Sequence, residues 1–99
     1  MENYLGEVAV FKALADANRL RIIEVLSTEC KSVNEIAELA GLSQPLTSHH
    51  LKVLTKIGIT RLESRANFNY YWVINVVIWK IIEECNGFVH SIVAQGTDI

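Results

Sequence analysis

Two adjacent histidines stand in the stretch LSQPLTSHHLKVL, residues 42–54. Imidazoles bind metals and move protons near neutral pH, so His49 and His50 are the first groups whose chemistry needs an account. Neighbouring residues on an α-helix are about 100° apart. A rigid helix cannot aim both rings at one ion, as it could an i, i+4 pair. No third ligand type stands nearby, which weighs against a metal or acid–base site here. On the same helix Gln44, Ser48, Lys52 and Thr55 share one side, flanked by Pro45, His49 and Lys56. The amide of Gln44, the hydroxyl of Ser48 and the imidazole of His49 match base edges or phosphate oxygens in a DNA major groove. A solvated surface histidine is the plain alternative for His49. Leu46, His50, Val53, Leu54 and Ile57 cluster on the opposite side, with Thr47 and Leu51 at its edge. His50 is therefore expected at the edge of the core, its ring nitrogens bonded to backbone or a neighbour.

The other reactive groups are Cys30 and Cys85. Two cysteines are too few to staple a small secreted scaffold. They read either as small hydrophobes or as a regulatory thiol pair, and a bridge needs Cα atoms within about 7 Å. Nothing else suggests catalysis. There is no Gly-rich phosphate loop, no paired carboxylates in a plausible pocket and no nucleophile beside a base. No enzyme activity, cofactor or metal is assigned.

The positioning elements follow from periodicity. Val8, Phe11, Leu14 and Ala15 give a first helix over Glu7–Ala15. Asp16-Ala17-Asn18 breaks it, and Asn18 can cap a second helix with Leu20, Ile23 and Ser27 on one stripe. Ser32 and Glu35 have capping-box spacing at the start of a third helix, with Val33, Ile36, Ala37 and Ala40 inward. Gly41 ends it in a left-handed conformation. Ser43 caps the next helix, about 44–57, where Pro45 is tolerated in a first turn whose amides have no helical partner; Gly58 closes it. Residues 59–73 alternate as a β-hairpin with ANFN as the turn. Residues of about 75–94 form a last helix that is apolar almost all round. Short helices joined by a Gly-containing turn and followed by a hairpin make a winged helix-turn-helix. The expected class is mainly α with a small β-hairpin wing, one domain over residues 1–99.

A terminal helix apolar on every side needs more than one neighbour. A second copy of the chain is the simplest supplier. The expected dimer interface uses Trp79, Ile82 and Phe88 from the last helix and Val8 and Phe11 from the first. The N-terminus lacks a basic segment leading into a long apolar core, and YYWVINVVIWKII is too short and too interrupted to span a bilayer. A cytoplasmic protein without membrane contact is expected.

The net charge of −2 argues against a general polyanion binder. Its distribution is more informative. Residues 1–43 hold four basic against seven acidic side chains, for −3, and the tail after residue 72 carries −2. Residues 44–72 hold Lys52, Lys56, Arg61 and Arg65 against Glu63 alone, for +3. One basic segment on an acidic body fits double-stranded DNA touched by a single face. A winged-helix protein-interaction module without DNA binding is the competing class, and it has no evident reason to concentrate that charge.

From about Phe11 to Val73 the chain resembles the ArsR/SmtB family of winged-helix repressors. LADANRLRIIEVL is similar to the family's L-A-D-P-x-R-L-x-I-L stretch. ELAGLSQPLTSHHLKVLTKIGI is similar to its recognition element, and RLESRANFNYYWV stands in the place of its wing. The resemblance implies a dimeric repressor that binds an inverted repeat and leaves it when an inducer, small-molecule or redox, arrives. It places Gln44, Ser48 and His49 as base readers and Arg65 and Asn67 at the wing tip. Where the family often has Arg, this chain has His49; Ala66 stands near the usual wing glycine. Many members carry a C-x-C-D thiolate site at the third helix, where this chain has Ser32, Asn34 and Glu35, with Cys30 displaced by two. Others carry Asp and His on the last helix; Asn75, Glu83, Glu84, Cys85 and His90 do not reproduce that spacing. Neither metal site carries over.

Overall fold

The computed structural model describes residues 3–99. Its elements run α1 (Leu5–Leu14), α2 (Ala17–Leu26), β1 (Lys31–Ser32), α3 (Val33–Ala40), α4 (Gln44–Ile57), β2 (Thr60–Arg65), β3 (Phe68–Val73) and α5 (Val77–Ala94). The core forms where α2, α3 and α4 meet. Ile22, Ile23, Leu26, Ile36, Leu51 and Leu54 are fully buried there, and Tyr71 and Ile78 join from β3 and α5. No helix among the described residues is long and apolar enough to cross a membrane.

The second helix differs from expectation in its cap. Asp16, not Asn18, is the N-cap: its extended backbone leaves its carboxylate accepting from the amides of Asn18 at 2.8 Å and Arg19 at 3.2 Å. The helix thus starts two residues earlier, at Ala17; Ile22, Ile23 and Leu26 face inward, while Leu20 lies at the rim and Ser27 only terminates the helix. The third helix forms as its sequence dictates. Ser32 Oγ accepts from the Glu35 amide at 3.2 Å, and the Glu35 carboxylate accepts from the Ser32 amide at 2.9 Å. Gly41 and Gly58 take positive φ of 71° and 91° at the ends of α3 and α4, where a side chain would be strained.

The inward face of α4 is rotated from its expected setting. Thr47, His50, Leu51 and Leu54 are buried, whereas Leu46 is 38% exposed. Thr47 can be buried because its hydroxyl donates to Ser43 O at 2.8 Å, so no polar group is orphaned. Thr60 is satisfied in the same way, by Thr55 Oγ1 at 2.8 Å.

The wing is an antiparallel sheet of order β1-β3-β2. Two residues of β1, unforeseen because so short a strand carries no periodicity, pair Lys31 with Tyr71 and Ser32 with Tyr70. In the hairpin Thr60 faces Val73 and Arg65 faces Phe68. Only Ala66 and Asn67 form the turn; Phe68 and Asn69 belong to β3. Ala66 adopts φ 54°, a left-handed conformation that favours glycine.

The last helix begins at Val77, with Asn75 Oδ1 accepting from its amide at 3.0 Å. Of its apolar residues only Ile78 is buried within the protomer.

Candidate nucleic-acid interface

Because α4 buries the Thr47, His50, Leu51 and Leu54 side, the opposite side faces solvent. Gln44, Pro45, His49, Lys52 and Lys56 are exposed and Ser48 is half-buried. Gln44 in the first turn shares a polar cleft with Ser32 and Asn34 of the α3 start and with Asn67, Phe68 and Asn69 of the wing. The hairpin thus brings Asn67 beside the leading end of α4, as a helix in a groove with a wing alongside would need. Arg61 and Arg65 are exposed on β2. Arg65 is not a free cation. Its guanidinium donates to Glu63 Oε2 from Nε at 3.1 Å and from an Nη at 2.8 Å, and it lies 5.8 Å from the Tyr70 ring centroid. The hydrogen bond to Glu63, reinforced by its charge, raises the Arg65 pKa further above its ordinary value.

The two histidines divide as the helix geometry requires. His49 is exposed, and His50 is 5% exposed. Arg19 Nη1 lies 3.2 Å from His50 Nδ1. A guanidinium only donates, so Nδ1 is the acceptor and the ring proton sits on Nε2. That Nε2 is buried without a hydrogen-bond partner, and Asp16 Oδ1 is 4.0 Å away. Burial pushes the His50 pKa below 6.5; the Asp16 carboxylate opposes this, while Arg19 and His49 add to it. Burial acts to raise the Asp16 pKa, but the amides of Arg19 and Asn18 and the nearby His50 and Arg19 charges hold it below 3.8. Sequence reasoning missed Asp16 and Arg19 as the surroundings of His50. The only signal was the D-x-x-R spacing at the start of α2.

The thiols do not meet. Cys85 lines an apolar groove beside Leu20, near the start of α2, while Cys30 lies beyond the far end of that helix. The rise from Leu20 to Leu26 alone is about 9 Å, which weighs against the thiol-pair alternative within a protomer. Both thiols are free and exposed.

Of the five expected interface residues, Val8, Phe11 and Phe88 are exposed, the last two at 63% and 66%. Trp79 and Ile82 are half-buried against the protomer's own core, and Trp79 Nε1 donates to Ile23 O at 3.2 Å. The half-buried indole needs a partner for its N–H, and α2 supplies it.

The metal positions of the resembling family do not fit a metal here. Ser32 Oγ and the Glu35 carboxylate are engaged in the helix cap. Among the described residues no three His, Cys, Asp or Glu side chains converge on a point that could hold an ion.

A three-helix core, an outward-facing fourth helix and a hairpin beside it define a winged helix-turn-helix domain. The same fold is found in a homodimeric winged helix-turn-helix DNA-binding domain from Mycobacterium bovis, with a TM-score of 0.78 at 19% identity over 96% of this chain and 93% of that one. Residues 16–60 match the model for the bacterial regulatory protein, arsR family. An uncharacterized HTH-type transcriptional regulator of Methanocaldococcus jannaschii is 32% identical over 88 residues, covering 84% of this chain and 94% of the relative. The cadmium resistance transcriptional regulatory protein CadC of Listeria innocua is 34% identical over 85 residues, covering 85% of this chain and 71% of the relative. The chain belongs to the arsR family and is a winged helix-turn-helix transcriptional regulator.

Proposed function

We propose that the protein acts in the cytoplasm as a homodimeric repressor that binds an inverted-repeat operator and leaves it when a small-molecule or redox inducer arrives. The observation that carries this reading is the two-sided α4, locked to the core by Thr47, His50, Leu51 and Leu54 and offering Gln44, Pro45, Ser48, His49, Lys52 and Lys56 outward. Gln44, Ser48 and His49 read base edges; Lys52, Lys56, Arg61, Arg65 and Asn67 hold the backbone on either side. The exposed Val8, Phe11 and Phe88 support a two-fold pairing through α1 and α5, which sets two recognition helices on one side of the assembly. CadC's link to cadmium does not come with the likeness, since Ser32 and Glu35 are used in capping α3.

Selection of duplexes from a randomised library tests the reading. The expected product is an imperfect palindrome with half-sites about one helical turn or more apart, bound with a steep salt dependence. Recovery of no preferred sequence refutes it.

A further inference from the structure

We infer that Arg19 and His50 are positioning residues that lock the recognition helix to the α1–α2 junction, and that protonation of the His50 ring opens this lock and weakens DNA binding in acid. The inference rests on the DNA-binding reading of α4.

One guanidinium makes the joint. Arg19 Nε donates to Ala13 O at 2.5 Å and an Nη donates to Lys12 O at 3.2 Å, at the end of α1, where Lys12 O also accepts from the Ala15 amide at 3.4 Å. Its remaining Nη donates to His50 Nδ1 at 3.2 Å. Among the described residues this is the only side-chain hydrogen bond joining α4 to another helix. The position of α4 is therefore tied to that of α1, whose exposed Val8 and Phe11 belong to the proposed dimer surface.

The joint accepts only a neutral ring. A proton on Nδ1 turns the acceptor into a donor aimed at another donor, and sets two cations side by side. The Nε2–H of the charged ring is meanwhile drawn toward Asp16 Oδ1, a gap of 4.0 Å that a hydrogen bond would shorten by about 1 Å. The charged groups facing the ring are Asp16 from the junction, Arg19 from α2 and His49 from α4; Lys12 and Lys56 border the adjoining groove with Arg19. Burial thus favours the neutral ring, and the stability this gives is lost progressively as pH falls from 6.5 toward the lowered pKa, where the ring takes up its proton.

The test uses the full chain and the duplex recovered from the randomised library at about pH 7.5. Wild type is expected to lose severalfold in affinity on going to about pH 5.5, with roughly tenfold as the ceiling for one coupled proton whose pKa lies below 6.5. His50→Asn keeps an acceptor oxygen near the Nδ1 position and cannot titrate there, so its affinity should fall by less than about threefold. Equal affinity of wild type at both pH values, or the same profile in both proteins, overturns the inference. Nitrogen NMR of the wild-type imidazoles gives a second measurement that needs neither DNA nor the variant. An Nε2–H tautomer at neutral pH, with α4 amide shifts that follow the His50 titration, supports the lock. An Nδ1–H tautomer, or α4 amides indifferent to that titration, refutes it. Failure to recover any duplex counts against the DNA-binding reading and leaves the ring measurements to decide the lock.

Discussion

The Arg65 guanidinium sits 2.8 Å from the carboxylate of Glu63, two residues back on the same strand of the wing. A phosphate contact by Arg65 must therefore share or displace this carboxylate. Glu63→Gln should tighten binding to all duplexes severalfold by freeing the cation. Arg65→Ala should weaken binding to all sequences alike and flatten the salt slope by about 0.9, the value for one neutralised phosphate. Titrations at several salt concentrations measure both; a Glu63→Gln protein with unchanged affinity would remove Arg65 from the backbone contacts.

The outward end of α4 should behave differently. Gln44→Ala and His49→Ala are expected to relax sequence preference, by about 1–3 kcal/mol per lost base contact, with a smaller effect on unrelated DNA. Competition between the selected palindrome and single-base variants measures this. Unaltered preference in both mutants would mean that the reading face is elsewhere.

Phe88 and Ile82 distinguish assembly from folding. Phe88 is 66% exposed, so Phe88→Asp should leave the protomer folded and yield monomers in sedimentation. Ile82 packs on the core of its own chain, so Ile82→Asp buries an unpaired charge and should unfold the protein by circular dichroism. A Phe88→Asp protein that remains dimeric would exclude the middle of α5 from the interface.

The wing turn stores strain at one residue. Ala66 holds φ 54°, where a Cβ costs about 1–2 kcal/mol, part of which glycine's greater unfolded-state entropy offsets. Ala66→Gly should raise unfolding stability by roughly 0.5–1 kcal/mol in urea melts. A loss of stability would show that the turn relaxes in solution.

Strong local rules made much of this molecule legible from its sequence. Ser32 with Glu35, Ser43, Gly41 and Gly58 marked helix ends because caps depend on residues a few positions apart. Helical phase separated His49 from His50. Phase alone could not fix α4 within one residue's rotation, so Leu46 was expected inside where Thr47 in fact lies. Asp16 was passed over as cap because Asn18, two residues on, is an equally good capping type. That Trp79 packs partly on its own protomer's core was not legible, because an apolar helix does not reveal which of its faces its own chain covers. The Arg19–His50 contact joins residues 31 apart, and no local pattern announces a pair of that kind.

Soft-metal release is the last expectation. Arsenite and cadmium prefer several thiolates on one ion, and tetrahedral zinc needs four donors. Ser32 and Glu35 are committed to the α3 cap, and Cys30 and Cys85 lie at opposite ends of α2. Recruiting Ser32 or Glu35 to an ion would uncap α3 and still supply only neutral oxygen and a single carboxylate. Zinc, cadmium or arsenite at low micromolar concentration should therefore leave the protein on its operator. Fluorescence anisotropy of the bound duplex during metal titration measures this. If cadmium released the wild type but not Cys85→Ser, a thiolate site would have to assemble from both subunits, because one protomer cannot bring its two sulfurs together.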